Sequence, residues 1–377
     1  MLRQVLNMKK LGFSAVTLAF TVVWVVSPSL RAAASAGRGA TGLGSPTGTT
    51  EHGSKTAPAP VKKAYPTFGQ VDRVAPELDR LIPAGARLEK LAGGFVWTEG
   101  PLWNSRAHTL LFSDIPRNVI FEWKEGLGTR DFLYPSGYTG AAPRGGEVGA
   151  NALTFDAQGR LVFCAQGDRS LVRLDAEGRR TTLADYYLDR RFNSPNDLVY
   201  KSNGDLYFTD PPYGLEGHNE DPTKELLFNG VYLLRASGQV VLLTRDLTFP
   251  NGLAFSPDEK TLYLSVSDPK RPVIMAYGVR SDGTLGPGRV FFDATTLAAK
   301  GLPGLPDGMK VDVKGNLFAT GPGGVLVLTP QGELLGTINT GETTANCAWG
   351  GDDGSTLYIT AHTYLCRIKT STKGRVP

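Results

Sequence analysis

Asn196-Asp197-Leu198-Val199-Tyr200-Lys201-Ser202-Asn203-Gly204-Asp205-Leu206-Tyr207-Phe208-Thr209 is the stretch that decides the fold. A polar residue opens a short apolar run, Ser202-Asn203-Gly204 turns the chain, and a second apolar run from Leu206 ends on a hydroxyl. Two β-type runs joined by a turn containing Asn-Gly read as a hairpin, because that pair accepts the positive φ angles a tight β-turn needs. The second half recurs as Leu110-Leu111-Phe112-Ser113, Leu161-Val162-Phe163-Cys164, Leu262-Tyr263-Leu264-Ser265, Leu317-Phe318-Ala319-Thr320 and Leu357-Tyr358-Ile359-Thr360. With the first, that makes six copies spaced 40 to 56 residues apart, which suits one four-stranded sheet per repeat. Turns precede most copies, as in Asp156-Ala157-Gln158-Gly159, Ser256-Pro257-Asp258-Glu259 and Asp312-Val313-Lys314-Gly315.

The first half recurs too, ten or eleven residues before each Leu. It reads Glu99-Gly100-Pro101, Asn151-Ala152-Leu153, Asn196-Asp197-Leu198, Asn251-Gly252-Leu253, Asp307-Gly308-Met309 and Asn346-Cys347-Ala348. Four strands per repeat follow. The first comes after the polar residue (Leu153 to Asp156, Leu253 to Ser256), and the second carries the Leu motif. Third strands are expected at Leu171 to Leu174, Val231 to Arg235 and Val325 to Thr329. Fourth strands are expected at Arg179 to Ala184, Gln239 to Thr244, Arg289 to Phe292 and Glu333 to Ile338. The sixth repeat nearly runs out of chain after its third strand, Tyr364 to Lys369. Arg87 to Ala92, just before Glu99, is left to supply the missing strand and close the ring, so that no sheet edge stays open between blades. The expected fold is all-β: a six-bladed β-propeller over residues 75–371, closed by an N-terminal strand completing the last blade, with a C-terminal tail over 372–377.

Composition agrees: 46 Gly and 25 Pro supply the turns, and no long apolar stretch at helical spacing follows the first 30 residues. The formal net charge of +4 is spread along the chain without a basic cluster, which gives no case for a nucleic-acid partner. Lys9 and Lys10 precede an apolar run, Leu11 to Val26, and Ala34-Ser35-Ala36 offers a cleavage site before Gly37. Residues 1–36 therefore read as a signal peptide, and the mature protein as exported, periplasmic or secreted, with no membrane association after cleavage. The competing reading is a retained anchor, since the run approaches the roughly 20 residues that span a bilayer. Residues 37–74 begin with a Gly, Ala, Thr, Ser and Pro-rich tract and are expected to form a linker. Cys164, Cys347 and Cys366 are too few for a disulfide framework and read as small buried residues; a Cys347–Cys366 bridge is the alternative.

Residues at one shared offset on the innermost strands of a propeller form a ring around its axis. Glu99, Asn196, Asn251 and Asp307 would present only oxygens there, which suits one divalent cation. Ca²⁺ is favoured for its taste for six to eight hard oxygen ligands; Mg²⁺, Mn²⁺ or Zn²⁺ are alternatives. The competing reading is that Asn-Gly and Asp-Gly are turn pairs. Asn151 and Asn346 keep the register and are candidate substrate contacts, or residues that support the ligands from behind. Asp210 and Asp197 are candidate bases or turn formers, Asp210 also a candidate substrate contact, and His362, after the second strand of the last blade, is a candidate substrate contact at the same mouth. Trp97, Trp103 and Trp123 read as core before sugar-stacking surface. Gly321-Pro322-Gly323-Gly324 reads as a hairpin turn, and no G-x-S-x-G, H-E-x-x-H, paired C-x-x-C or Walker-type loop is present.

Trp97-Thr98-Glu99-Gly100-Pro101, Phe192-Asn193-Ser194-Pro195-Asn196-Asp197, Phe208-Thr209-Asp210-Pro211-Pro212-Tyr213-Gly214, Pro250-Asn251-Gly252 and Pro306-Asp307-Gly308-Met309 together resemble the gluconolactonase, senescence-marker-protein (regucalcin) and luciferin-regenerating-enzyme family. The resemblance covers about residues 75 to 371. It implies a six-bladed propeller with one catalytic divalent cation that hydrolyses a lactone, a sugar lactone such as glucono-1,5-lactone. It also implies Glu99, Asn251 and Asp307 as metal ligands, Asn196 as a fourth ligand or substrate contact, and Asp307 as the catalytic proton donor or acceptor. Some members carry a substrate-contacting arginine two residues before the Asn196 position; this chain has Ser194 there, which leaves the lactone open. The implied partner is a small-molecule lactone. Alternatives are an ester or phosphotriester hydrolase on the same metal site, or a non-catalytic propeller that uses calcium for stability.

Overall fold

A computed structural model describes residues 64–376; the expected signal peptide and most of the expected linker lie outside these. Six antiparallel sheets follow the six repeats. Their innermost strands are Thr98–Asn104, Ala150–Phe155, Leu198–Tyr200, Pro250–Phe255, Met309–Val311 and Thr344–Gly350. Each touches the next and the sixth touches the first, so they form a closed ring. The sheets are numbered here as blades 1 to 6 in that order. Leu88–Gly93 pairs antiparallel with Tyr364–Lys369, with Leu88 opposite Ile368 and Gly93 opposite Tyr364, and so completes blade 6 as expected. The Gly321–Gly324 stretch is a hairpin between Leu317–Gly321 and Gly324–Leu328.

Two boundaries differ from expectation. Thr67–Phe68 pairs with Leu88–Gly93, and Gln70–Arg73 pairs with Leu334–Asn339, so the linker ends before residue 67. These short strands cover the outer edges of blades 6 and 5, edges that would otherwise offer unpaired N–H and C=O groups. Nor is the C-terminal tail loose. Thr372 Oγ1 donates to Asp312 Oδ2 at 2.7 Å, and Lys373 O accepts Val313 N at 2.8 Å.

The apolar core lies between blades, which explains why the Leu motif is apolar on both faces. Leu206 and Phe208 pack with Val162 and Cys164 of blade 2, whereas Tyr207 turns the other way onto Leu262 and Leu264 of blade 4. Successive strand residues face opposite sides, so a blade flanked by two others needs apolar residues at both parities. Trp103 and Trp123 belong to the core cluster between blades 6 and 1. All three cysteines are buried and unbridged. The hydroxyl that ends the motif has its own role: Ser113 Oγ donates to Asn151 O at 2.8 Å, Ser265 Oγ to Asp307 O at 2.8 Å, and Thr320 Oγ1 to Ala345 O at 3.0 Å. Each bond ties one blade's second strand to the next blade's first strand, at or beside the ring position. Among the described residues no helix is long and apolar enough to cross a membrane.

Candidate active site

All six ring residues lie at the start of, or just before, an innermost strand, hence at one end of the channel. Glu99, Asn151, Asn196, Asn251 and Asn346 are buried, and Asp307 is half-buried. The glycines that follow are not turn residues. A Cβ on Gly252 would stand 2.2 Å from Asp307 O, and one on Gly308 would stand 1.9 Å from Asn346 Cγ. Glycine is required because the next blade's ring residue packs there, so the turn-pair reading of Asn-Gly and Asp-Gly does not hold.

Hydrogen bonds separate the six into two kinds. Glu99 Oε2 accepts Gly100 N at 2.6 Å and Asn346 Nδ2 at 3.1 Å, which leaves Oε1 unengaged. Asn251 Nδ2 donates to Ser267 Oγ at 2.9 Å, which frees its Oδ1. The side-chain amides of Asn151 and Asn196 make no hydrogen bond among the described residues. Asn346 is different. Its Oδ1 accepts Cys347 N at 2.9 Å and Lys310 Nζ at 3.4 Å while its Nδ2 serves Glu99, so it orients Glu99 and has little left to offer a substrate.

Asp210 is also committed. Its carboxylate accepts Asn193 N at 2.8 Å and Ser194 N at 2.7 Å, which shapes the loop that presents Asn196. Asp114 accepts Val96 N and Trp97 N in the same way ahead of Glu99. Burial pushes Asp210 up to about 7 against these N–H bonds. Ser194 is buried; its Oγ donates to Pro211 O and accepts Gly214 N. His362 sits on the rim, its ring 5.4 Å from that of Trp97 and its Nδ1 3.5 Å from Glu342 Oε2.

Two residues not singled out from the sequence complete the mouth. Glu147 lies on the connection between blades 1 and 2. That loop is held by Asn118, whose Oδ1 accepts Gly137 N at 2.7 Å, and by Arg144, which donates to Gly167 O and Gly214 O. Glu147 N donates to Tyr213 O at 3.2 Å, and burial pushes its carboxyl up to about 7. Tyr213 stacks on Phe249 at 6.0 Å and has Ser267 and Asn251 as hydrogen-bonding neighbours.

The electrostatics of this end are one-sided. Burial, followed by the charges of Glu99, Glu147 and Asp197, raises Asp307 well above the usual carboxylate range. Burial also raises Glu99, where the N–H of Gly100 and the amide of Asn346 oppose it while Asp197 and Glu147 add to it. Asp197 is raised by burial and eased by Lys310, and its Oδ1 accepts Leu198 N at 2.7 Å. Glu99 and Asp307 are thus both raised by the charges of Asp197 and Glu147, while among the described residues Lys310 eases Asp197. Among the described residues no three His, Cys, Asp or Glu side chains form a metal cluster by themselves. With Glu99 and Asp307 the ring supplies two carboxylates, and it adds amide oxygens. This donor set fits a hard divalent cation, whose charge would relieve the repulsion.

Residues 97–363 match the SMP-30/Gluconolactonase/LRE-like region. The chain belongs to this family. A family relative, the gluconolactonase of Zymomonas mobilis, is 40% identical over 321 residues, 82% of this chain and 88% of that protein. The structure of a gluconolactonase from Xanthomonas campestris matches at a TM-score of 0.70 and 33% identity, over 82% of this chain and 99% of that one. A calcium-binding regucalcin from Agrobacterium tumefaciens shares the fold at a TM-score of 0.60 and 22% identity, over 84% of this chain and 98% of that one.

Proposed function

We propose that this lactonase-family hydrolase opens a sugar lactone, glucono-1,5-lactone foremost, with one divalent cation, Ca²⁺ favoured, held by Glu99, Asn196, Asn251 and Asp307. The observation that carries the reading is the buried oxygen ring with its uncompensated carboxylates. Relatives named as gluconolactonases support the substrate class. When bound, the cation supplies Lewis-acid polarisation of a carbonyl and stabilises the developing oxyanion.

The chain's own groups divide the remaining work. Asn346 fixes the Glu99 carboxylate, and Ser267 turns the Asn251 amide, so neither donor must reorganise as substrate arrives. Asn151, with its amide free, and Tyr213, on the wall, are placed to orient sugar hydroxyls. Asp210 is tied to backbone N–H groups and Asp197 partly so; Asp307 is occupied as a ligand. Glu147, raised by burial against a side-chain hydrogen bond with Gln166, is left as the carboxylate to take the proton of the attacking water, and a value of about 7 suits a base working at neutral pH. Asp307 then returns to the simpler role of ligand and electrostatic partner.

The test is proton release from glucono-1,5-lactone in weak buffer. The full-length protein is expected to exceed the spontaneous rate many-fold; absence of acceleration with every sugar lactone tried would contradict the reading. Glu147→Gln is expected to lower kcat at saturating cation by about 10²-fold, the size of a lost general base, with a smaller loss of cation affinity because one nearby negative charge is gone. Wild-type kcat in that variant would return the proton to Asp307.

A further inference from the structure

The innermost strands that start at the carboxylate ring end around a second space. A cavity of about 1170 Å³ is lined by residues from their far ends, including Phe155, Tyr200, Phe255 and Trp349. Its inner wall is apolar and its rim basic. Most of the rim cations already have partners: Arg160 with Asp156, Lys201 and Arg375 with Glu259, Arg235 with Asp205. Arg106 and Arg173 do not. Both line the cavity, and neither guanidinium makes a hydrogen bond or ion pair among the described residues. Arg173 is half-buried against blade 2, where an unpaired cation is costly. Trp103 and Trp349, 5% and 2% exposed, add to the apolar wall of the same cavity, with their indole N–H groups buried in the protein.

An apolar wall with two unpaired guanidinium groups at its rim has the composition of a small-molecule site. Its charge selects an anion, because charge-assisted hydrogen bonds from arginine to a carboxylate or sulfonate are the strong ones. Its wall selects an apolar body. We propose that this far end of the channel is a second binding site, separate from the hydrolytic one, for an amphiphilic organic anion: an acyl or aryl carboxylate or sulfonate. The inference stands or falls independently of the lactonase reading, since no residue argued here is a ring residue.

The probe is 8-anilinonaphthalene-1-sulfonate, titrated into the full-length protein and read by energy transfer from tryptophan, two of which line the cavity. Saturable one-to-one binding is expected, displaced by decanoate and not by gluconate. Arg173→Ala is expected to weaken it about tenfold, the usual cost of a charge-assisted bond. Arg106→Ala, on an exposed turn where folding is not at stake, is expected to weaken it about threefold. The proposal is overturned by an absence of saturable binding, by unchanged affinity in both variants, or by displacement with gluconate, which would place the probe at the carboxylate ring.

Discussion

Asp307→Asn is expected to lower kcat/KM for lactone hydrolysis by about 10³-fold, roughly 4 kcal/mol of transition-state stabilisation. The substitution keeps the shape of the side chain and leaves the backbone bonds in place, since Ser265 Oγ donates to the Asp307 carbonyl and not to its carboxylate. What is lost is one of the ring's two carboxylates, and with it much of the field that holds a cation. Stability moves the other way when cation is absent. Burial and the charges of Glu99, Glu147 and Asp197 raise the Asp307 pKa in the folded state, so the ionised form opposes folding above the unfolded-state pKa. The variant is therefore expected to melt no lower than wild type in chelator, and to gain less from added cation. Activity within about threefold of wild type would remove Asp307 from the mechanism.

Gly308→Ala is expected to destabilise the fold by about 3 kcal/mol, the range for forcing an extra methyl into a packed core, and to cut activity with it. The added Cβ would lie 1.9 Å from Asn346 Cγ and 2.1 Å from its Oδ1. Asn346 has no free direction in which to retreat, because its amide holds Glu99, Cys347 N and Lys310 together. Moving it releases the Glu99 carboxylate. Gly278→Ala is the control, for nothing lies within 4 Å of its added Cβ. Thermal melts should separate the two variants clearly; equal melting temperatures would mean that the blades adjust to the methyl group.

The propeller was legible because each blade packs only against its neighbours and therefore repeats the same pattern. Leu206-Tyr207-Phe208 must be apolar on both faces, and so must its five counterparts. The ring was legible for the same reason: one offset in six repeats becomes one end of one channel. The strands over 67–73 escaped because they cover edges and belong to no repeat. Glu147 escaped because its loop lies outside the periodic pattern, and only the contacts of Asn118 and Arg144 bring it to the mouth. Asp210 and Asn346 were visible as polar residues, but polarity alone does not say whether an oxygen faces a substrate or a backbone N–H.

Removal and return of the cation tests the central claim most directly. The protein is exhausted with chelator, assayed for proton release from glucono-1,5-lactone, and then titrated with Ca²⁺, Mg²⁺, Mn²⁺ and Zn²⁺ in turn. The expected result is loss of hydrolysis to the spontaneous rate, with recovery that saturates at one cation per chain and fails in Asp307→Asn. Full hydrolysis by the metal-free protein would contradict the account, and would leave the carboxylate ring without the role assigned to it.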